Sequence, residues 1–123
     1  VATAMQLRGS RYLHVLVPCP LGWGALSRDT ILLARLAQQS GIFPVFEAED
    51  GEVTQVSKIR HQVPVEAYLR PQRRYAHLFG EHPRPDLVAR IQAAADRTIA
   101  RYDLMAPTPP VQESVRTDRT DEY

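Results

Sequence analysis

Cys19, the single cysteine among 123 residues, is the residue of this sequence whose side chain could take part in the most kinds of chemistry. It lies between Pro18 and Pro20 in a run, PCPLGWG, whose prolines and glycines prevent regular structure. A lone cysteine is most often a small buried apolar side chain. A reactive thiol would need a neighbouring cation or histidine, and none is adjacent in sequence. A ligand of a metal cluster would need three partner ligands from elsewhere.

The four histidines favour structural interpretations. His14 stands between apolar neighbours in a strand-like run, which predicts a core histidine whose ring nitrogens have partners. His61, His77 and His82 have no metal-ligand spacing to one another or to Cys19. The histidines therefore give no independent metal site.

Other charged and aromatic groups also have simpler explanations than a binding site. Arg73 and Arg74, with Tyr68 and Tyr75 nearby, are more typical of a solvated face or a subunit contact than of a nucleic-acid patch. The acidic stretch 50–52 is explained by a hairpin turn rather than by a cation site. No phosphate-binding loop, Ser-His-Asp order or pair of catalytic carboxylates can be argued.

Composition narrows the function classes further. Fifteen Lys and Arg residues against 14 Asp and Glu give a net charge of +1, so nucleic acid and anionic membrane are poor candidates as partners. One cysteine excludes an internal disulfide framework and a structural zinc site held by this chain alone. No apolar run approaches the ~18 residues of a membrane span, and no signal peptide is recognisable. We expect a cytoplasmic protein.

The elements that position Cys19 begin with a short helix. Residues 1–8 resemble the last two turns of a helix that closes at Gly9, which suggests a piece of a longer polypeptide or a subunit that completes another chain. Residues 12–17 form a nearly continuous apolar run, typical of a strand covered on both faces in a parallel sheet. Cys19 would then follow the carboxyl end of a strand, where α/β sheets place ligands.

A helix, a strand and a hairpin come next. Ser27 is the predicted N-cap, and Gly41 closes the helix. The predicted apolar face of this helix is Ile31, Leu32, Leu36 and, less regularly, Leu33. Residues 43–47 read as a strand, the Asp50-Gly51 pair as a two-residue turn, and 52–56 as the return strand.

The second half is mainly helical. Pro64 suits the first position of a helix over 65–69 that Pro71 must stop, and 72–78 form a further turn or two. Asp86 starts the longest helix. Its apolar stripe is Leu87, Val88, Ile91, Ala95, Ile99 and Tyr102, opposite Arg90, Arg97 and Arg101. The fold class is α/β, with a C-terminal helix and an extended or disordered tail over 106–123.

Four collinear blocks carry a family resemblance. The run YLHVLVPCPLGWG at 12–24 is similar to the strand and "PCPTGW" loop of the β subunit of pyruvate:ferredoxin oxidoreductases and related 2-oxoacid:acceptor oxidoreductases. A helix like residues 30–37 follows in that family. Residues 41–51 resemble "GLWPLYE…(D/N)G", and 63–78 resemble "PVEEYLK.QGRFKHL". Pro71 departs from this pattern and puts in doubt only the continuity of its helix.

The resemblance implies a place in a larger subunit. Residues 1–105 correspond to the C-terminal part of the α/β domain that binds thiamine diphosphate and the nearest iron–sulfur cluster. Cys19 matches the family's fourth cysteine ligand of that 4Fe-4S cluster. The other three ligands, and the motif for the diphosphate and its Mg²⁺, lie in the family's N-terminal half, so no catalytic, thiamine or magnesium residue is assigned in this chain.

The activity implied by the resemblance belongs to a multi-subunit complex. It is oxidative decarboxylation of a 2-oxoacid, pyruvate first, with coenzyme A as acyl acceptor and ferredoxin or another carrier as electron acceptor. The chain alone is not expected to be active. An aryl or branched 2-oxoacid such as phenylglyoxylate is the alternative substrate. A non-enzymatic accessory subunit without a cluster, and a free-thiol enzyme, are the competing classes.

Overall fold

The computed structural model describes residues 2–107, which contain five α-helices, two 3₁₀ helices and one β-hairpin. The predicted tail lies almost wholly outside these residues. The α-helices are α1 (Ala2–Gln6), α2 (Pro20–Trp23), α3 (Thr30–Gln39), α4 (Val65–Leu69) and α5 (Pro85–Arg101). The 3₁₀ helices span Ser27–Asp29 and Arg73–Leu78, and the strands are β1 (Phe46–Glu49) and β2 (Glu52–Val56).

The main core lies where α3, α4 and α5 meet the second 3₁₀ helix. Its fully buried members are Leu33, Ala37, Val65, Tyr68, Leu69, Leu78 and Ala95. A smaller cluster under the C-terminal end of α5 is formed by Ile59, Ile99 and Leu104. The apolar stripe predicted for α5 is confirmed, since Ala95 and Ile99 are buried and the arginines opposite are exposed. None of the helices between residues 2 and 107 combines the length and apolarity needed to cross a bilayer.

The predicted apolar face of helix α3 is confirmed at Leu33 and Leu36, which pack in or against the main core, and is wrong at Ile31 and Leu32. Leu33 and Ala37 are 1% and 0% exposed, whereas Ile31 and Leu32 are 64% and 48% exposed. The helix has apolar residues on two adjoining stripes, and packing against α4 selects the stripe four residues apart that carries the small Ala37. Ser27 was wrong as the N-cap: it opens the first 3₁₀ helix, and Asp29 precedes α3 without a side-chain capping bond.

The predicted end of α3 is confirmed. Gly41 follows the C-cap residue Ser40 with a φ of +77°, which a side chain would strain. A Cβ at Gly41 would also lie 2.6 Å from Cγ1 of Ile99. Gly41 therefore both closes α3 and lets α5 approach it.

The hairpin is confirmed in its turn and return strand. Phe46 pairs with Val56 and Glu49 with Glu52 in an antiparallel ladder, with an irregularity between Glu47 and Ala48. The first strand starts at Phe46 rather than at Phe43. The Phe43 amide donates to the Ala37 carbonyl at 3.0 Å, which ties that residue to the end of α3.

The proline-bounded helices follow the sequence closely. Pro64 is the N-cap of α4 rather than its first residue, and α4 ends at Leu69 ahead of Pro71. Helix α5 begins at Pro85, one residue before the predicted start. These shifts of one residue leave the predicted order of elements intact.

The buried parallel strand predicted over 12–17 is not formed. Residues 11–19 have no helix or strand, and Tyr12, Val15 and Val17 are 86%, 68% and 69% exposed. A strand requires a neighbour to pair its N–H and C=O groups. Among residues 2–107 no backbone–backbone hydrogen bond involves residues 12–17, and the hairpin is the one sheet in this part of the chain. The described fold thus has α/β content with a small antiparallel sheet only.

Candidate functional site

Cys19 lies at the surface, as the N-cap of the four-residue helix α2. Its side chain points back over the helix, and the Gly22 amide donates a hydrogen bond to Sγ at 3.4 Å. The Trp23 amide donates to the Cys19 carbonyl at 2.9 Å. The interpretation of Cys19 as a small buried apolar side chain is therefore wrong, because the residue is exposed.

The loop that carries Cys19 is fixed at both ends. Pro18 before it is buried, although Cys19 itself is exposed. Gly24 ends α2 with a φ of +63°, and its carbonyl accepts a hydrogen bond from the Arg73 amide at 3.2 Å. A Cβ on Gly24 would lie 2.7 Å from Cβ of Arg73. The loop backbone is thereby packed directly against the second 3₁₀ helix.

Arg74 adds a side-chain link between the same two elements. Its guanidinium carbon lies 3.9 Å from the ring centroid of Trp23 and 4.7 Å from that of Tyr75. Its nitrogens donate to Gln72 Oε1 at 2.8 Å and to the Tyr68 hydroxyl at 3.3 Å. A cation held against an aromatic face contributes about 0.5–1 kcal/mol at an exposed site. Arg74 thus stabilises the fold around Trp23, a role that neither sequence interpretation of the arginine pair had identified.

Tyr68 is the buried end of this link. Burial raises the pKa of its phenol, and the nearby Arg74 guanidinium opposes that shift with a smaller effect. The hydroxyl therefore stays neutral at physiological pH and accepts the hydrogen bond from Arg74. Three members of this cluster, Tyr68, Gln72 and Arg74, are close in sequence, but Trp23 is far from them. Only the tertiary structure shows that they come together.

The histidines form no site in the described part of the chain. His14 is exposed, with its ring edge-on to Phe43 at a centroid distance of 5.1 Å, so the prediction of a core histidine is wrong. Among residues 2–107 there is no group of three or more His, Cys, Asp or Glu side chains that could hold a metal ion. A metal site that included Cys19 would therefore need its other ligands from outside residues 2–107.

Known proteins show the same sequence pattern. The chain is 40% identical over 104 residues to pyruvate synthase subunit PorB of Methanosarcina barkeri, which covers 85% of this chain and 35% of that subunit. It is 42% identical over 81 residues to PorB of Methanocaldococcus jannaschii, covering 66% and 27%. The chain belongs to the β-subunit family of the 2-oxoacid oxidoreductases.

This membership confirms the predicted resemblance and sets its extent. This chain is also 34% identical over 80 residues to ketoisovalerate oxidoreductase subunit VorB of Pyrococcus abyssi. The match covers 63% of this chain and 26% of that subunit. The chain spans about a third of the length of the curated relatives that it matches. No family model matches it.

Proposed function

We propose that this chain is a section of a 2-oxoacid oxidoreductase β subunit and that Cys19 supplies one thiolate ligand to a 4Fe-4S cluster. The observation that carries the proposal is the presentation of Sγ at the surface, on a loop fixed against the second 3₁₀ helix. The family membership supports the same assignment, because the resemblance implies that Cys19 matches the family's fourth cysteine ligand.

The chemistry of the Cys19 loop fits such a ligand. Iron–sulfur clusters are held by cysteine thiolates, and hydrogen bonds to the sulfurs together with solvent exposure set their potentials. The Gly22 amide donates to Sγ at 3.4 Å, within the range for a sulfur acceptor. Pro18, Pro20 and the Gly24–Arg73 contact restrict the backbone around the thiol. A ligand held in this way moves little when the charge of the bound group changes.

The cofactors of the proposed complex are thiamine diphosphate with Mg²⁺ and the cluster. When bound, thiamine diphosphate supplies the electron sink for decarboxylation of the 2-oxoacid, and the cluster accepts the electrons. This chain's contribution is to position Sγ of Cys19, with the Gly22 amide beside it. Other subunits or segments supply the remaining cluster ligands and the thiamine site. Coenzyme A as acyl acceptor and ferredoxin as electron acceptor complete the proposal.

Pyruvate is the proposed substrate. The support is that the relatives named pyruvate synthase include those with 40% and 42% identity, against 34% for a relative named ketoisovalerate oxidoreductase. The VorB relatives favour a branched 2-oxoacid as the second candidate. Activity of the purified complex with pyruvate and with 2-oxoisovalerate, measured side by side, distinguishes the two.

Replacement of the thiol tests the ligand assignment. The complex is purified anaerobically with wild-type chain, with Cys19→Ala and with Ser27→Ala, which alters an exposed side chain beyond α2. We expect Cys19→Ala to lose most of the iron of that cluster and its broad visible absorbance, because three ligands hold the cluster poorly. Ser27→Ala should match the wild type.

Retention of full iron content and normal electron transfer by Cys19→Ala would contradict the assignment. A wild-type complex that is colourless with all partners present would favour the accessory-subunit alternative. The variant Cys19→Ser adds a graded result, since a serine oxygen can replace the sulfur as ligand while the potential of the cluster changes.

A further inference from the structure

Helix α2 is too short to hold its own orientation. It has four residues, and isolated helices of that length are not stable in water. Of its side chains, Leu21 is 95% exposed, whereas Trp23 is half-buried and packs against the main core cluster. The direction of α2, and with it the position of Cys19, therefore depends on what other elements contact in Trp23 and in the loop backbone.

Trp23 and the thiol are joined by the hydrogen bonds of a single turn. The Trp23 amide donates to the Cys19 carbonyl at 2.9 Å, and the Gly22 amide donates to Cys19 Sγ at 3.4 Å. Because these bonds close the turn around Cys19, a displacement of Trp23 relative to the scaffold also displaces Sγ. A group that fixes the indole consequently restrains the thiol.

Arg74 is the group that reaches the indole from the second 3₁₀ helix. Its guanidinium carbon lies 3.9 Å from the ring centroid of Trp23 and 4.7 Å from that of Tyr75. Its nitrogens donate to Gln72 Oε1 at 2.8 Å and to the Tyr68 hydroxyl at 3.3 Å. Gln72 and Tyr68 are 1% and 4% exposed, so the guanidinium that covers Trp23 is anchored to the core.

This arrangement requires a guanidinium rather than any cation. A planar fork can donate to two acceptors while its face lies over an aromatic ring, whereas a lysine ammonium acts as a point charge. We propose that Arg74 is a positioning residue for Cys19, which holds Trp23 against the scaffold and thereby sets the position of Sγ for the cluster. The part of this inference that concerns the cluster rests on the proposed function.

Hydrogen exchange of the full 123-residue chain tests the placement of the turn. In Arg74→Met the amides of Gly22 and Trp23 should exchange about two- to fivefold faster than in the wild type, because one exposed cation–aromatic contact is lost. Arg74→Lys keeps the charge but not the fork, and should not restore the wild-type rates. Arg70→Met is the matched control, since Arg70 lies 4.3 Å from the ring centroid of Phe79, and should leave both amides unchanged.

A second background shows whether Arg74 acts through the indole. In Trp23→Leu the Gly22 amide should exchange faster than in the wild type, and the addition of Arg74→Met should accelerate it no further. An equal additional acceleration by Arg74→Met in both backgrounds would mean that Arg74 acts on α2 by another route, and would contradict the proposal.

The consequence for the cluster is measured in the anaerobically purified complex. Arg74→Met should still bind iron, but a chelator should remove that iron about two- to fivefold faster than from the wild type. The electron paramagnetic resonance spectrum of the reduced cluster should also change, because the hydrogen bond from Gly22 to the ligand sulfur is altered. Arg70→Met should match the wild type in both measurements.

Three results would overturn the inference. These are wild-type exchange of Gly22 and Trp23 in Arg74→Met, full restoration by Arg74→Lys, which would assign the effect to charge alone, and wild-type iron release and spectrum for Arg74→Met in a complex that loses its cluster in Cys19→Ala. Full iron content in Cys19→Ala is instead the failure of the proposed function. The exchange rates of the free chain then still decide whether Arg74 places Sγ, because they are measured without iron.

Discussion

The main core and the strand face, the surface formed by Leu13, Val15, Val17 and Leu21, contain the same types of apolar side chain. The core side chains are buried, whereas those of the strand face are exposed. In the core, Leu33 on α3 and Leu69 on α4 are 1% and 2% exposed, and these two helices pack against each other. On the strand face, Val15 and Leu21 are 68% and 95% exposed. The core is completed by groups within residues 2–107, whereas the strand face lacks a covering layer among them. The segment with the proposed chemistry adjoins the incomplete region.

The contrast separates a packed helical scaffold from the exposed segment that adjoins the Cys19 loop. Helices α3, α4 and α5 form a self-consistent scaffold, and the second 3₁₀ helix connects that scaffold to the Cys19 loop through Arg73 and Arg74. The scaffold therefore restrains the Cys19 loop, whereas the strand face has no covering layer within residues 2–107.

The largest expected effect compares two leucines on one helix. Leu33→Ala removes a side chain buried in the core and should lower the free energy of unfolding of the free chain by about 2–5 kcal/mol. Leu32→Ala, at a position 48% exposed, should change it by only about 0.5 kcal/mol. Urea unfolding followed by circular dichroism measures both. Equal losses for the two variants would mean that Leu32 is buried in the free chain.

A smaller effect is expected where the Cys19 loop meets the scaffold. Gly24→Ala forces a side chain into a left-handed conformation and against Arg73, which should cost about 1–3 kcal/mol. Gly22→Ala is the matched control in the same helix, because its added Cβ would lie at an ordinary contact distance of 3.5 Å from Sγ of Cys19. Thermal unfolding of both variants tests the difference, and a Gly24→Ala chain as stable as the wild type would contradict the close packing.

The smallest effect concerns an ion pair on the scaffold's surface. Two hydrogen bonds from Arg84, at 2.9 and 3.0 Å, hold the pKa of Asp86 below its ordinary value. Because the folded-state pKa is depressed, the carboxylate stabilises the fold above the ordinary carboxyl pKa, and this contribution is lost as pH falls through the depressed value. Asp86→Asn should therefore be slightly less stable than the wild type at neutral pH.

Acidification gives the control for this ion pair. The difference between Asp86→Asn and the wild type should shrink as Asp86 becomes protonated, and added salt should reduce it at neutral pH. Glu81→Gln changes an exposed carboxylate with no ion pair among the described residues, and its stability at neutral pH should match the wild type at low and at high salt. A pH-independent difference for Asp86→Asn would mean that the charge of Asp86 is not the source of its contribution, and would contradict this account.

Local signals in the sequence sufficed for most of the elements. The hairpin turn, the proline-limited helix α4 and the apolar stripe of α5 follow from residue chemistry that acts over a few positions. The exposure of Ile31 and Leu32 on α3 and the irregular conformation of residues 12–17 did not follow, because each depends on which other segment supplies packing or pairing. The prolines and glycines around Cys19 identified it as a candidate from the sequence. The contact of Arg74 with Trp23 could not be predicted in this way, because the two residues are far apart in the chain.

The central claim is that Sγ of Cys19 is occupied by iron in the assembled protein, and alkylation measures this directly. Cys19 is the chain's single cysteine and is exposed, so the free chain should be labelled fully by iodoacetamide. In the anaerobic complex we predict protection of Cys19, lost when iron is removed by a chelator after oxidation, with mass spectrometry of the tryptic peptide as the readout. Equal labelling of Cys19 before and after iron removal would contradict the claim.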